Sequence, residues 1–324
     1  MIASLRRSPP SLSGQDPVTY RPHALHASSR SYQETNCYAD VLIELLHGCG
    51  FEPLAAFGHL VRMDFEGDQW TFFKPPPDDL ELLYGVDIHE MQPYRPLPKQ
   101  IAEQIAHGRT IIVELDSWYL PDTAATSYRR EHVKTSVAAD AIDREAEVLR
   151  YFHGTGLYEL RGEDYRGAFR LERSAAEVLP PYTEIVRFDA AQPLAGEDLR
   201  TAARNLLARH LERRPRANPF EQFGASLAGA LGALLQSGLE HYHAYAFATV
   251  RMAGSGFEVA ADHAGWLLGG EAAAAQQAMG EIVDGCKALS FRLARRRAFD
   301  PAPTVSALAQ AWERAMAALE ASVS

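Results

Sequence analysis

Between Asn36 and Gly50 the apolar residues Ala39, Val41, Leu42, Leu45 and Leu46 recur at helical spacing, and Gly48 and Gly50 stop the run. This predicts an apolar, central helix with Cys37 in its first turn. Before it, residues 1–22 are rich in Ser, Pro and Arg and read as a flexible lead-in. Residues 54–74 read as short β-type runs around Trp70, Phe72 and Phe73, closed by Pro75-Pro76-Pro77. DDLELLYG then reads as a short helix, and LPKQIAEQIAHG as a clearer one ended by Gly108. The run Ile111-Ile112-Val113 predicts a buried strand leading into a loop at Asp116. HVKTSVAADAIDREAEVLRYFHGTG predicts two strands, 133–138 and 147–152, joined by a polar turn.

The pattern changes after about residue 190. Residues 196–324 are rich in Ala, Leu and Arg at helical spacing, as in EDLRTAARNLLARHL and VSALAQAWERAMAALEAS. Such a stretch predicts a helical bundle or cap. The punctuation at Pro180-Pro181 and Gln192-Pro193 marks a boundary. The expected organisation is a lead-in over 1–22, an α+β domain over 23–190 with a central helix on an antiparallel sheet, and an all-α domain over 191–324.

Charge and composition narrow the function classes. The 324 residues carry a formal net charge of -10, which disfavours nucleic-acid binding, where lysine and arginine must neutralise phosphate. No apolar run approaches the roughly 20 residues a membrane-crossing helix needs. Two arginines near the start are followed by no apolar stretch, so the expectation is a cytoplasmic protein without a secretory signal. Three cysteines, Cys37, Cys49 and Cys286, form no C-x-x-C pair, which argues against both a disulfide framework and structural zinc.

Among the three, Cys37 has the placement of a nucleophile. A helix N-terminus favours negative charge, so it favours the reactive thiolate, and its free N–H groups can hold an oxyanion. Gln33 and Asn36, in SYQETNCYAD, are amide donors just upstream. A cysteine nucleophile needs a base, usually histidine, oriented by a third group. His132 stands at the start of a predicted strand. Folding the hairpin about Ile142-Asp143 places it opposite roughly His153, one candidate for the orienting position. Asp116, at the end of the preceding strand, is the other. Asp140 and Asp143 are expected to belong to the turn.

The order of a cysteine at a helix start, a D-x-x-Y-L-P stretch ending a strand, and a histidine leading a hairpin resembles the N-terminal domain of butirosin biosynthesis protein H and its relatives. More remotely it resembles the papain-like peptidases that process double-glycine leader peptides. The segments that carry this are NCYADVLIELLHGCGFEP, IIVELDSWYLP and HVKTSV. The chain looks closer still to an uncharacterised bacterial family marked by RSYQETNCYADVLIELLH, DFEGDQWTFFKPP, ELDSWYLPDT and YFHGTGLYEL. The butirosin-type resemblance implies a papain-like fold and an acyltransferase that moves an aminoacyl group from the phosphopantetheine thioester of a carrier protein to an amine. It makes Cys37 the acyl acceptor and His132 the base. Two features depart from the leader peptidases. The nearest glutamine, Gln33, lies four residues before the cysteine rather than six, and the usual acid after the histidine is replaced by His153.

No metal or other cofactor is expected, because a thioester already carries a good leaving group. Glu240 and His243 form a single E-x-x-H without a second copy, and His241 and His243 point to different helix faces. No G-x-S-x-G, P-loop or G-x-G-x-x-G is present. Basic residues crowd two segments, Arg200 to Arg216 and Lys287 to Arg297. Such patches can steer an acidic carrier protein. Two other readings use the same sequence: a cysteine peptidase or amidase built on the same residues, and a non-catalytic carrier-binding module.

Overall fold

The computed structural model describes residues 11–173, 179–189 and 191–323. It divides into two compact units, each assembled from separated stretches of chain. The first takes the described residues up to 24, then 37–52 and 80–193; the second takes 25–36, 53–79 and the chain from 194 on.

The first unit is built on a six-stranded sheet in which every neighbouring pair is antiparallel. Its strands are β1 (Asp87–Glu90), β2 (Arg109–Asp116), β3 (Lys134–Asp143), β4 (Val148–His153), β5 (Gly156–Arg161) and β6 (Thr183–Arg187), in the order β1-β6-β2-β3-β4-β5. Side chains alternate between faces along a strand, and the alternation here sorts two different environments. Ile111, Val113 and Leu115 of β2 and Val137 and Ala139 of β3 join Leu97, Ile101 and Ile105 of α3 (Leu97–Ala106) in one apolar cluster. The other face of β3 and β4 receives α1 (Cys37–Gly48). Nearly all of α1 is buried, including Asp40 and Glu44, as its continuous apolar run requires. The helix ends where Gly50 adopts φ +83°, a conformation only glycine takes freely. At its last residue, Gly48, an added Cβ would sit 2.5 Å from the Phe152 ring, so glycine lets the helix lie close against β4.

Two further short helices are α4 (Gly162–Ala168) in this unit and α2 (Pro77–Tyr84), which has Pro77 and two aspartates in its first turn and spans the division of the chain between Asp79 and Leu80. The β3–β4 register shifts between Ala139 and Ala141. The bulged residue, Asp140, has no exposed surface, and its carboxylate is met by Ser11 Oγ, the amide and hydroxyl of Ser13, and Arg150 Nε. The described part of the expected flexible lead-in is therefore tied to the sheet through a buried carboxylate.

The second unit is helical: α5 (Gly196–Leu211), α6 (Pro219–Gln236), α7 (Leu239–Ala246), α8 (Met252–Leu268), α9 (Ala273–Ala294) and α10 (Ala302–Val323). A π-helical turn, Phe247–Arg251, joins α7 to α8. Helix α9 packs against both α8 and α10, and α6 against α10. The segment expected to form β-type runs over 54–74 is instead a 3-10 helix, Pro53–Arg62, followed by one isolated bridge between Phe65 and Trp70. Its aromatic residues do not line a sheet: Trp70 packs on Phe65, Phe220, Phe223 and Phe257 in this unit's core. An α+β architecture with an antiparallel sheet and a helical C-terminal region is thus observed.

Candidate functional site

Cys37 is the first residue of α1, and its Sγ lies 3.6 Å from Ser136 Oγ on β3. Ser136 projects toward α1 because it alternates with Val137, which enters the α3 cluster. Two residues along the same face, Lys134 Nζ donates to Glu114 Oε1 at 2.6 Å. Partial burial works against the Lys134 ammonium, but the bond to Glu114 and that carboxylate's charge help hold its pKa above the usual lysine value. The strand register explains the grouping: Glu114 pairs with Ser136 and Asp116 with Lys134 across β2–β3. Deeper on the same face, Ile112 pairs with Glu184. The Glu184 carboxylate accepts from Tyr38 Oη at 2.6 Å and Tyr182 Oη at 2.7 Å. Burial first, then this carboxylate, pushes the Tyr38 phenol well above its ordinary value.

His132 lies two residues before β3. Its Nδ1 is 2.6 Å from Asp116 Oδ2, and its ring stacks on Trp118 with centroids 4.6 Å apart. Asp116 Oδ1 also accepts from the Trp118 amide at 3.0 Å. Of the two residues considered for orienting His132, Asp116 is the one in hydrogen-bond contact with it. His153 is placed differently. The pairs Ala138↔Phe152 and Ala139↔Tyr151 put it beside Val137, not His132. The turn actually spans 144–147, beyond the Ile142-Asp143 position inferred from sequence, and the bulge at Asp140 adds a residue to β3. His153 shares the α3 face with Tyr151, where Nε2 meets Thr135 Oγ1 at 2.8 Å and Nδ1 meets Asp122 Oδ2.

The sulfur of Cys37 and the imidazole of His132 make no hydrogen bond to each other among the described residues. His132 lies four residue steps from Ser136, beside the thiol, or about 13 Å of extended chain. A cleft of about 360 Å³ lies along this end of the sheet, lined by Glu114, Asp116, His132, Lys134, Arg170 and Tyr182 among others. A larger groove of about 500 Å³ runs between α6 and α10, but its lining holds no cysteine or histidine. The upstream amides differ in availability. Asn36 is buried and donates to the Phe73 carbonyl, whereas Gln33 is exposed.

The sequence matches two consecutive family models, the DUF1839 N-terminal domain over residues 21–188 and the DUF1839 C-terminal domain over residues 196–321. The chain belongs to the DUF1839 family. No curated protein matches it. In this DUF1839 chain the cysteine and the His132–Asp116 pair both fall within the N-terminal match.

Burial, with a contribution from Asp140, raises Cys49 to about 12, and burial alone raises Cys286 to about 12. Glu240 and His243 are both exposed on α7, and among the described residues no group of three or more His, Cys, Asp or Glu could hold a metal ion. No helix there is long and apolar enough to cross a membrane. Several of the clustered arginines are engaged within the helical unit: Arg204 donates to the Ser322 carbonyl, Arg214 pairs with Glu320, and Arg296 donates to the Leu235 carbonyl. Arg209, Arg213, Arg216, Arg295 and Arg297 have no such partner among the described residues.

Sequence reasoning did not pick out Ser136, Lys134, Glu114 or Asp122. The alternation of KTSVAAD could have flagged Lys134 and Ser136 as sharing a face. Asp122 carried no sequence signal, because its partners lie about thirty residues away.

Proposed function

We propose that the first unit is a thiol acyl-transfer module in which Cys37 accepts the acyl group. The observation that carries this is the environment of the sulfur: first residue of a buried helix, 3.6 Å from the hydroxyl of Ser136, which shares its face of β3 with Lys134. The free N–H groups of a helix N-terminus can hold the oxyanion of an acyl intermediate formed there. The resemblance to the butirosin-type acyltransferases supports an aminoacyl group carried on a cytoplasmic carrier protein as the donor, an amine as the acceptor, and a papain-like relationship for the unit.

The reaction divides into two balanced steps. The Cys37 thiolate attacks the donor thioester carbonyl. A new C–S bond forms, the donor C–S bond breaks, and the carrier's thiol leaves and takes up a proton. An amine then attacks the Cys37 thioester. A C–N bond forms, the Cys37 C–S bond breaks, and the amine's proton passes to a base. We propose His132 as the base of that second step, which requires the acyl group on Cys37 to reach the cleft. Asp116 holds its Nδ1, which leaves Nε2 for the incoming amine at the cleft. The same residues would serve a peptidase or amidase, with His132 protonating the leaving amine. One observation favours a binding-only role instead: Cys37 and His132 are not hydrogen-bonded.

Intact-mass measurement after incubation with a thioester-loaded carrier protein, or with a small aminoacyl thioester, tests the reading. A mass gain equal to the acyl group, removable by hydroxylamine and absent in Cys37→Ser, is expected. No gain on Cys37 with either donor would overturn it, and hydrolysis of an amide substrate would select the peptidase.

A further inference from the structure

The loop from 117 to 133 carries Trp118 and delivers His132 to the cleft, and it turns back on itself. Its ends are closed by the Ser117 amide donating to the Val133 carbonyl at 2.9 Å and the Arg129 amide to the Trp118 carbonyl at 3.1 Å. Midway, Asp122 enters the protein from a short 3-10 turn, Pro121–Thr123, and its side chain is 5% exposed. One carboxylate oxygen accepts from Tyr151 Oη, and the other meets His153 Nδ1. His153 Nε2 continues to Thr135 Oγ1. Thr135 sits on β3 between Lys134 and Ser136, with its side chain on the opposite face of the sheet from theirs.

We propose that Asp122 is the positioning residue of the candidate site. Through His153 and Tyr151 it clamps the His132 loop to β4, and through Thr135 it fixes the stretch of β3 that presents Lys134 and Ser136 to Cys37. The inference rests on the acyl-transfer reading for its purpose, but not for its test. A buried carboxylate needs hydrogen-bond donors, and the chain supplies two from one strand. Tyr151 keeps its proton, since burial and then the Asp122 charge push its phenol well above the ordinary value, so it donates to Asp122. His153 turns Nδ1 to the other carboxylate oxygen, and its Nε2 meets the Thr135 hydroxyl. Each member orients the next. The bond order matches that of a nucleophile–His–Asp triad, yet Thr135 is only 8% exposed and lies against the α3 cluster, so orientation rather than attack is its role.

The stacked Trp118 supplies the test. Protonation of His132 quenches the indole it stacks on, so the pH titration of Trp118 emission, taken as the difference from Trp118→Phe, reports the geometry of the pair. In Asp122→Asn the carboxamide cannot accept from both partners as a carboxylate does, and the titration amplitude is expected to fall at least twofold with far-UV circular dichroism unchanged. A folded Asp122→Asn with the wild-type amplitude and midpoint would overturn the proposal. Should Asp122→Asn not fold, Tyr151→Phe removes one donor and leaves the charge. A smaller loss in the same direction supports the clamp, and an unchanged titration counts against it. Ile105→Val, which trims the same core without touching the network, is expected to leave the titration intact. The readout involves no thiol, so failure of Cys37 to accept an acyl group would leave this result standing.

Discussion

Nδ1 of His132 lies 2.6 Å from Oδ2 of Asp116, joining a residue just outside β3 to the last residue of β2. The bond fixes one ring nitrogen and directs the other outward. Asp116→Asn would offer either an amide donor or a weaker, uncharged acceptor to Nδ1. It is expected to lower acyl transfer by about a hundredfold or more, in the range general-base catalysis contributes. Single-turnover kinetics with a preformed Cys37 thioester would locate the loss in the amine step. An unchanged rate in that step would remove His132 from the mechanism.

The three thiols should separate by reactivity. With Cys49 and Cys286 each raised to about 12, their thiolate fraction at pH 8 is about one part in ten thousand. Alkylation of the native protein at that pH, followed by peptide mass mapping, is expected to label Cys37 at least tenfold faster than either. Equal rates in the folded state would count against Cys37 as a nucleophile. In denaturant all three should react alike.

Acid should weaken the helical unit. Burial lowers His59 to about 3 and His263 to about 4, against 6.5 for the free side chain. Both keep Nδ1 on a backbone carbonyl, Ala56 and Leu54 respectively, while Nε2 is buried without a partner. Beside them His210 bonds Asp79 at 2.8 Å. Below about pH 6.5 the unfolded chain takes up protons that the folded one refuses. Stability is therefore complete above that pH and is lost as pH falls toward 4. At pH 5 each histidine contributes a loss of about 2 kcal/mol. Urea midpoints measured from pH 7.5 to 5 should fall accordingly, and the double variant His59→Gln with His263→Gln should flatten the slope.

Gly48→Ala is expected to destabilise the sheet unit by about 1–3 kcal/mol, because the new methyl would meet the Phe152 ring at 2.5 Å. Adding Phe152→Leu should recover part of the loss, which thermal denaturation of the single and double variants would show.

Much of the local structure was legible before any tertiary information. The Ala39–Leu46 spacing marks α1 and puts Cys37 at its start; Gly108 ends α3; Ile111–Val113 marks β2. The run over 54–74 misleads because aromatic residues suit both a strand and a packed helical core. Here the partners of Trp70 come from α6 and α8, far along the chain, and they decided the matter. The pairing of His132 with His153 failed for a different reason. A bulge at Asp140 and a later turn each move the register by a residue or two, and neither can be counted from a strand pattern alone.

By itself, the sequence determined the class of elements, the helix-start position of Cys37, the acidic overall charge and the shift to helix after about residue 190. These follow from local periodicity and composition, which each short window carries within itself. Only the tertiary structure decided which residues share a face with Cys37, that Asp116 holds His132, and that Asp122 holds His153. It also gave segments 25–36 and 53–79 to the helical unit rather than to the sheet beside which they lie in sequence. Each of those outcomes depends on strand register and on apolar contacts between distant stretches. Such contacts gain their energy only once the chain has closed the loops between them.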